Sequence, residues 1–145
     1  MRALIVAALT AVLLCACQTP HAATALTPDG TGLSAPATAA IAGDMASRLA
    51  EQASPAIAGP LTMRNDKSPY AVSLEAALKG WGYTVTTDAK VKTGALPTHL
   101  AWSIADIDGQ VFARLSMPTL VLGRTYMPTV SGADPASPLS VMRAD

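Results

Sequence analysis

The sequence predicts an α+β domain, with two amphipathic helices packed on one face of a mainly antiparallel sheet, after a signal peptide and a flexible tether. Three observations carry that prediction. Apolar residues recur at helical spacing in two capped segments, one opening at Ser34 and one at Ser68. Alternating segments flank an Asp108-Gly109 turn. A short apolar run at the amino terminus ends in Leu14-Cys15-Ala16-Cys17.

Met1-Arg2 supplies a short positive region, and Ala3 to Leu14 (ALIVAALTAVLL) is apolar except for Thr10. The run is shorter than the roughly 20 residues a permanent membrane helix needs, and it has the length and flanks of a signal-peptide core. Lipoprotein signal peptidases require a branched apolar residue at −3, a small residue at −1 and cysteine at +1. Cys17 meets that rule, with Leu14 at −3 and Ala16 at −1, whereas Cys15 would place Leu14 at −1. The expectation is cleavage after Ala16 and lipidation of Cys17. The competing reading is an ordinary secretory signal that happens to contain cysteine. A redox or metal role for the C-x-C pair fails, because an apolar export segment offers no electropositive setting.

Cleavage would leave Cys17 as the one cysteine, with its sulfur already used, so no disulfide is expected and the fold must stand on its core. About 129 residues would remain, enough for one domain with tails. The formal net charge is zero, and losing Arg2 makes it −1. That balance suggests neither direct nucleic-acid binding nor attraction to an anionic membrane surface. Gln18 follows the cysteine in place of the Asp that signals inner-membrane retention, so the expected location is the periplasmic face of the outer membrane. Two or three acyl chains, at about 0.8 kcal/mol per buried methylene, would make the anchor effectively permanent.

The expected divisions are a signal peptide over 1–16, a lipidated tether over 17–33, a periplasmic α+β domain over 34–126 and a Pro-rich tail over 127–145. From Gln18 to Leu33 the chain lacks period and aromatics and holds Pro20, Pro28, Gly30 and Gly32, which reads as a tether. The first helix starts at the N-cap Ser34 with Pro36 in its first turn, and Ile41, Met45 and Leu49 form a stripe with Thr38 and Ala42. Asp44 and Arg48 make an i,i+4 pair flanking that stripe, and Ser54-Pro55 ends the helix. A short strand is expected at Leu61-Thr62-Met63.

In the second helix Ser68 caps, Pro69 takes the first position, and Tyr70, Leu74, Leu78 and Trp81 form one stripe. Gly82 supplies the left-handed residue that closes it, and Tyr83 to Thr86 resumes as strand. Asp88 to Lys92 reads as a loop. The Asp108-Gly109 dipeptide favours a type I′ hairpin turn, which places Ile107 opposite Gln110, Asp106 opposite Val111, Ile104 opposite Ala113, Trp102 opposite Leu115 and Leu100 opposite Met117. This register separates an apolar face from a mostly polar one holding Ala101, Ser103, Arg114 and Ser116, with Ile107 and Phe112 as exceptions. Leu120-Val121-Leu122 extends the meander as far as Gly123. From Met127 the chain is expected to be irregular, and its tail either folds back on its own sheet or adds to a partner's strand edge.

Catalytic chemistry finds little support. His99 with Asp106 or Asp108 and a serine could be drawn as a triad, but a surface histidine is the simpler reading. Ser68 is better explained as a helix cap than as a nucleophile, because Pro69 follows it. Asp106-Ile107-Asp108-Gly109 echoes a calcium loop without its third ligand before the glycine or its distal Glu, so turn chemistry is preferred. Trp81, Tyr83 and Trp102 could line a ligand site, but Trp81 and Trp102 both fall on expected core faces. No catalytic, cofactor or metal residue is therefore proposed, and no cofactor is expected.

Leu74 to Val85 (LEAALKGWGYTV), Ala105 to Ser116 (ADIDGQVFARLS), Leu122-Gly123-Arg124-x-Tyr126 and Ala136 to Arg143 (ASPLSVMR) together resemble the conjugal transfer protein TrbH family, and Ile41 to Gln52 fits the same pattern. The resemblance spans most of 34–143 and is most specific in the tail. It implies a membrane-anchored lipoprotein with a structural or assembly role in a conjugative type IV secretion apparatus, partnered by other mating-pair-formation proteins. No catalytic motif comes with it. The alternatives are a free-standing periplasmic lipoprotein that binds cell-wall or lipid ligands, and a role in excluding plasmid entry.

Overall fold

Ser34 lies in extended backbone (φ −68°, ψ 156°), and its hydroxyl accepts from the Ala37 N–H at 3.3 Å, so the first helix begins where the cap predicts. The computed structural model describes residues 32–87 and 96–144; the signal segment, Cys17, most of the tether and the Asp88–Lys92 loop lie outside them. Helix α1 runs Ala35–Gln52 and buries Ala37, Thr38, Ile41, Ala42, Met45, Ala46 and Leu49, the expected stripe widened by alanines. Ser54-Pro55 ends it and opens a four-residue helix, α2 (Pro55–Ala58), which the sequence pattern did not announce. Gly59, at φ +66°, then turns the chain into strand β1 (Leu61–Met63).

Helix α3 (Pro69–Gly80) repeats the device, with the Ser68 hydroxyl accepting from the Ala71 N–H at 3.4 Å and Tyr70, Ala71, Leu74 and Leu78 buried. Trp81 departs from its expected core position and is half exposed. Its spacing would place it on the stripe if the helix continued, but the helix stops at Gly80 and Trp81 is already the cap residue (φ −83°, ψ 1°). Gly82, at φ +91°, reverses the chain as expected. The buried aromatic is Tyr83 instead, whose hydroxyl donates to the Ala53 carbonyl at the end of α1.

Strands β2 (Val85–Thr87) and β3 (Thr98–His99) both pair parallel to β1, aligning Leu61 with Val85 and with Thr98. Helix α3 provides the crossover that a parallel β1–β2 pair requires. Leu100 alone separates β3 from β4 (Ala101–Ile107), so one stretch of chain passes from the parallel sheet into the antiparallel one. Strands β4 and β5 (Gln110–Met117) form the hairpin in the expected register, with Ile107 opposite Gln110 and Trp102 opposite Leu115. Asp108 (φ +54°) and Gly109 (φ +79°) both have the positive φ of a type I′ turn.

Strand β6 (Leu120–Pro128) runs well beyond the expected Leu122. Gly123 does not end it but makes room for a ring, since a Cβ there would lie 3.0 Å from Phe112 Cζ on the neighbouring strand. The segment from Met127, expected to be irregular, supplies β7 (Ala133–Pro135) and β8 (Ser140–Arg143), and both pair with β6. The tail thus folds back on its own sheet. Val111, Ala113, Leu115, Leu120, Leu122 and Tyr126 face inward, where α1 lies against β5, β6 and β7 and beside α3. The α+β class, with the long helices on one face of a mainly antiparallel sheet, is the observed one.

Truncating Leu74, fully buried between helix and sheet, to Ala is expected to cost about 2–5 kcal/mol. Trp81→Ser should cost less than about 1 kcal/mol, as a surface change. Urea unfolding followed by far-ultraviolet circular dichroism distinguishes the two.

Candidate functional site: a clamp between the first helix and the tail

The residues singled out for chemistry stand apart. His99 is exposed in β3, and Asp106 lies seven positions further along extended chain, roughly 23 Å at about 3.3 Å per residue. Asp106 and Asp108 sit at the hairpin end, where Asp106 Oδ1 accepts from the Gly109 N–H at 3.3 Å, and Ser68 is occupied as a cap. Among the described residues, no three His, Cys, Asp or Glu side chains gather as a metal site. Cys17 lies outside the described residues.

Of the three aromatics considered as a ligand site, Tyr83 is used at the end of α1 and Trp81 faces solvent. Trp102 packs on the buried Tyr70 with ring centroids 5.3 Å apart and planes inclined at 56°, a tilted pair. The Arg64 guanidinium carbon lies 5.1 Å from the Trp102 ring centre, within cation–π range. Burial pushes the Tyr70 hydroxyl well above its usual value, and neither that hydroxyl nor the Trp102 indole N–H has a hydrogen-bond partner among the described residues.

The densest polar arrangement lies elsewhere, between α1, β6 and the tail. Asp44 projects from α1 beside the apolar stripe, and its Oδ1 pairs with Arg48 Nε at 3.3 Å, as the i,i+4 spacing predicts. Its Oδ2 accepts from the Tyr126 hydroxyl at 2.7 Å and from an Arg124 guanidinium nitrogen at 2.9 Å. Arg124 and Tyr126 are two residues apart on β6, so both side chains emerge on the face that meets the helix. Arg124 Nε donates onward to the Ser137 carbonyl at 3.0 Å.

Ser137 sits where β7 has ended and β8 has not begun, and there it replaces a strand. Its hydroxyl accepts from the Thr125 N–H at 3.0 Å, while the Ala136 N–H donates to the Thr125 carbonyl at 2.8 Å. Further along, Arg143 of β8 reaches the last residue of α1, donating to Gln52 Oε1 at 2.9 Å and to the Gln52 carbonyl at 3.3 Å. Helix α1 has no basic residue in its last turn, and Arg143 places a cation beside its negative end.

Sequence reasoning recognised Asp44 only as the partner of Arg48. The overlooked signal was Arg124 on the inward face of a strand, since a guanidinium between Leu122 and Tyr126 requires a carboxylate opposite. Asp44, at the margin of the stripe, was the acid available. Burial pushes the Asp44 carboxyl upward, but the Tyr126 hydroxyl and the Arg124 and Arg48 charges outweigh it and hold the group below the usual carboxylate value. Burial and Asp44 together raise the Tyr126 hydroxyl far above its usual range, so it remains a donor.

Because the folded carboxyl titrates below its unfolded value, its contribution to stability is complete above about pH 4 and is lost as pH falls through the lowered value. Asp44→Ala should cost about 2–4 kcal/mol at neutral pH, by stranding Arg124 and the Tyr126 hydroxyl. The acid-dependent loss of stability should also be smaller in that variant. Urea unfolding between pH 2.5 and 7 measures both effects.

The family model for conjugal transfer protein TrbH matches residues 19–145. Over 146 aligned residues the chain is 49% identical to a probable conjugal transfer protein TrbH of Sinorhizobium fredii (strain NBRC 101917 / NGR234), covering 99% of each protein. No solved structure matches it. The clamp residues Asp44, Arg124, Tyr126 and Ser137 all fall within the matched span, and the chain belongs to the conjugal transfer protein TrbH family.

Proposed function

We propose that this protein is a lipoprotein of the outer membrane, acylated on Cys17, that serves as a structural component of a conjugative DNA-transfer apparatus of the type IV secretion class. Membership of the TrbH family supports the role in conjugative transfer. The observation that favours assembly over chemistry is the sheet face turned away from the helices. By strand alternation Ile107, Phe112, Val121, Met127 and Met142 lie on that face, and Ile107, Met127 and Met142 are exposed. These apolar side chains stand among polar ones such as Ser103, Arg114 and Ser116, and a mixed face of this kind with no helix over it among the described residues suits protein–protein contact. Meanwhile the clamp holds the tail on its own sheet, so that face is presented by a fixed scaffold.

The tether of about 16 residues would let the domain stand up to ~50 Å from the membrane, at about 3.3 Å per residue. Its partners on this reading are other mating-pair-formation proteins, with no direct contact to nucleic acid and no catalysis by this chain.

Cys17→Ser in the donor is expected to shift the protein from the outer-membrane fraction to the soluble periplasm, abolish labelling with palmitate and reduce transfer to that of a strain lacking the protein. Tagged protein isolated from donor envelopes in mild detergent should carry other mating-pair-formation proteins, and the double change Ile107→Asp, Met142→Asp should release them. Wild-type transfer by the Cys17→Ser strain would overturn the anchor. Recovery of the tagged protein alone, or with cell-wall fragments, would overturn the assembly role.

A further inference from the structure

The two edges of the antiparallel sheet are finished differently. On one side β7 and β8 cover successive halves of β6. On the other, β4 is the last strand, and no described strand pairs with it beyond β5. The hairpin determines which of its backbone groups are free. In a two-residue hairpin the closing pair, here Ile107 and Gln110, exchanges both of its hydrogen bonds. Alternation then commits Ala105, Ser103 and Ala101 to β5 and turns the N–H and C=O groups of Asp106, Ile104 and Trp102 outward. Leu100 has the same parity, and its N–H does point that way, donating to the Thr62 carbonyl of β1 at 2.8 Å. Strand β1 ends at Met63, so the three following outward residues have no ladder partner among the described residues.

Sheet edges are normally guarded by proline, charged side chains or a bulge. Ala101–Ile107 contains no proline or lysine, its pairing with β5 runs without interruption, and its one charge, Asp106, stands at the hairpin end. The edge is also polarised. Arg64, which also pairs with Asp66 at 2.8 Å, lies over Trp102 near one end, and the Asp106 carboxylate stands at the other.

We propose that this edge pairs with the same edge of a second copy of the chain, antiparallel and centred on Ile104. In that register Ile104 meets its own counterpart and Trp102 meets Asp106 of the second copy, so all three outward residues of each strand are used. Moving the centre to Ser103 would bring Asp106 against Leu100, whose N–H is already bonded to Thr62. Moving it to Ala105 would carry Trp102 past the end of the facing strand at Asp108. The Ile104 register also sets Asp106 of each copy beside the Arg64–Trp102 pair of the other, so the charge complementarity occurs twice by symmetry. An uncharged or parallel strand would gain the ladder but not these pairs. This inference does not depend on the secretion role.

The test is disulfide capture in envelopes of cells making the full chain, with the wild-type chain as the background for Cys15 and Cys17. A hydrogen-bonded antiparallel pair holds its Cα atoms about 5.5 Å apart, within disulfide reach. Ile104→Cys is therefore expected to give a reducible dimer absent from wild type. Ser103→Cys and Ala105→Cys, each displaced diagonally from its own counterpart, should give none. Adding either Asp106→Arg or Arg64→Asp to Ile104→Cys should abolish the dimer, and adding both should restore it. The restored dimer separates lost pairing from lost folding. Dimer no greater than wild type, equal capture at 103 and 104, no rescue by the double swap, or capture only of other proteins would each overturn self-pairing.

Discussion

The carboxylate of Asp44 is the point on which the arrangement of helix, sheet and tail depends. Apolar burial brings α1 onto the sheet, but the hydrophobic effect is non-directional and leaves a smooth alanine-rich face free to slide or rotate. Bonds from Tyr126 and Arg124 to one carboxylate oxygen, with Arg48 on the other, remove that freedom. The arrangement is tolerable in a partly buried place because each charged group is paired and hydrogen-bonded. Removing any member leaves another unsatisfied, which is the costly condition. Arg124 then passes the constraint on to Ser137, so the tail is positioned relative to the helix and not only to its neighbouring strand.

Local rules made much of the fold legible in the sequence. Both helix starts could be read because a serine with proline one or two residues later leaves few alternatives, and the hairpin register followed from Asp108-Gly109 and the alternation around it. The departures share a different cause, since each needed knowledge of a neighbour distant in sequence. Trp81 has the right spacing for the core but stands one residue beyond the last helical turn. Gly123 has the chemistry of a strand end, and only the Phe112 ring across the ladder explains it within a strand. The parallel sheet was hidden because β1, β2 and β3 span only two or three residues each, too short for a period. The clamp was half visible, with Asp44 correctly paired to Arg48 and its stronger partners 80 and 82 residues away.

The residues that carried the family resemblance acquire a physical meaning in this light. The Leu122-Gly123-Arg124-x-Tyr126 segment, the Ile41 to Gln52 helix and the Ala136 to Arg143 tail are the three parties to one hydrogen-bonded assembly. Their chemistry is directed inward, at holding the domain in one shape. The outer sheet face and the β4 edge take no part in that assembly.

The route taken by the last two strands bears on how the molecule is made. Helix α1 is the first described element to be synthesised, yet Arg124, Tyr126 and Arg143, which hold it in place, are added some 80 to 91 residues later. Contacts so distant in sequence close slowly, because the chain between them must be ordered first. Until β7 and β8 arrive, β6 has a bare edge and Arg124 Nε lacks the Ser137 carbonyl to which it donates. A chain interrupted before residue 133 would contain its helices, its hairpin and every partner of Asp44, but would show the cell an open β6 ladder. An uncovered strand edge is the kind of feature on which chains aggregate or are cut, so the last strands protect the sheet as well as extend it.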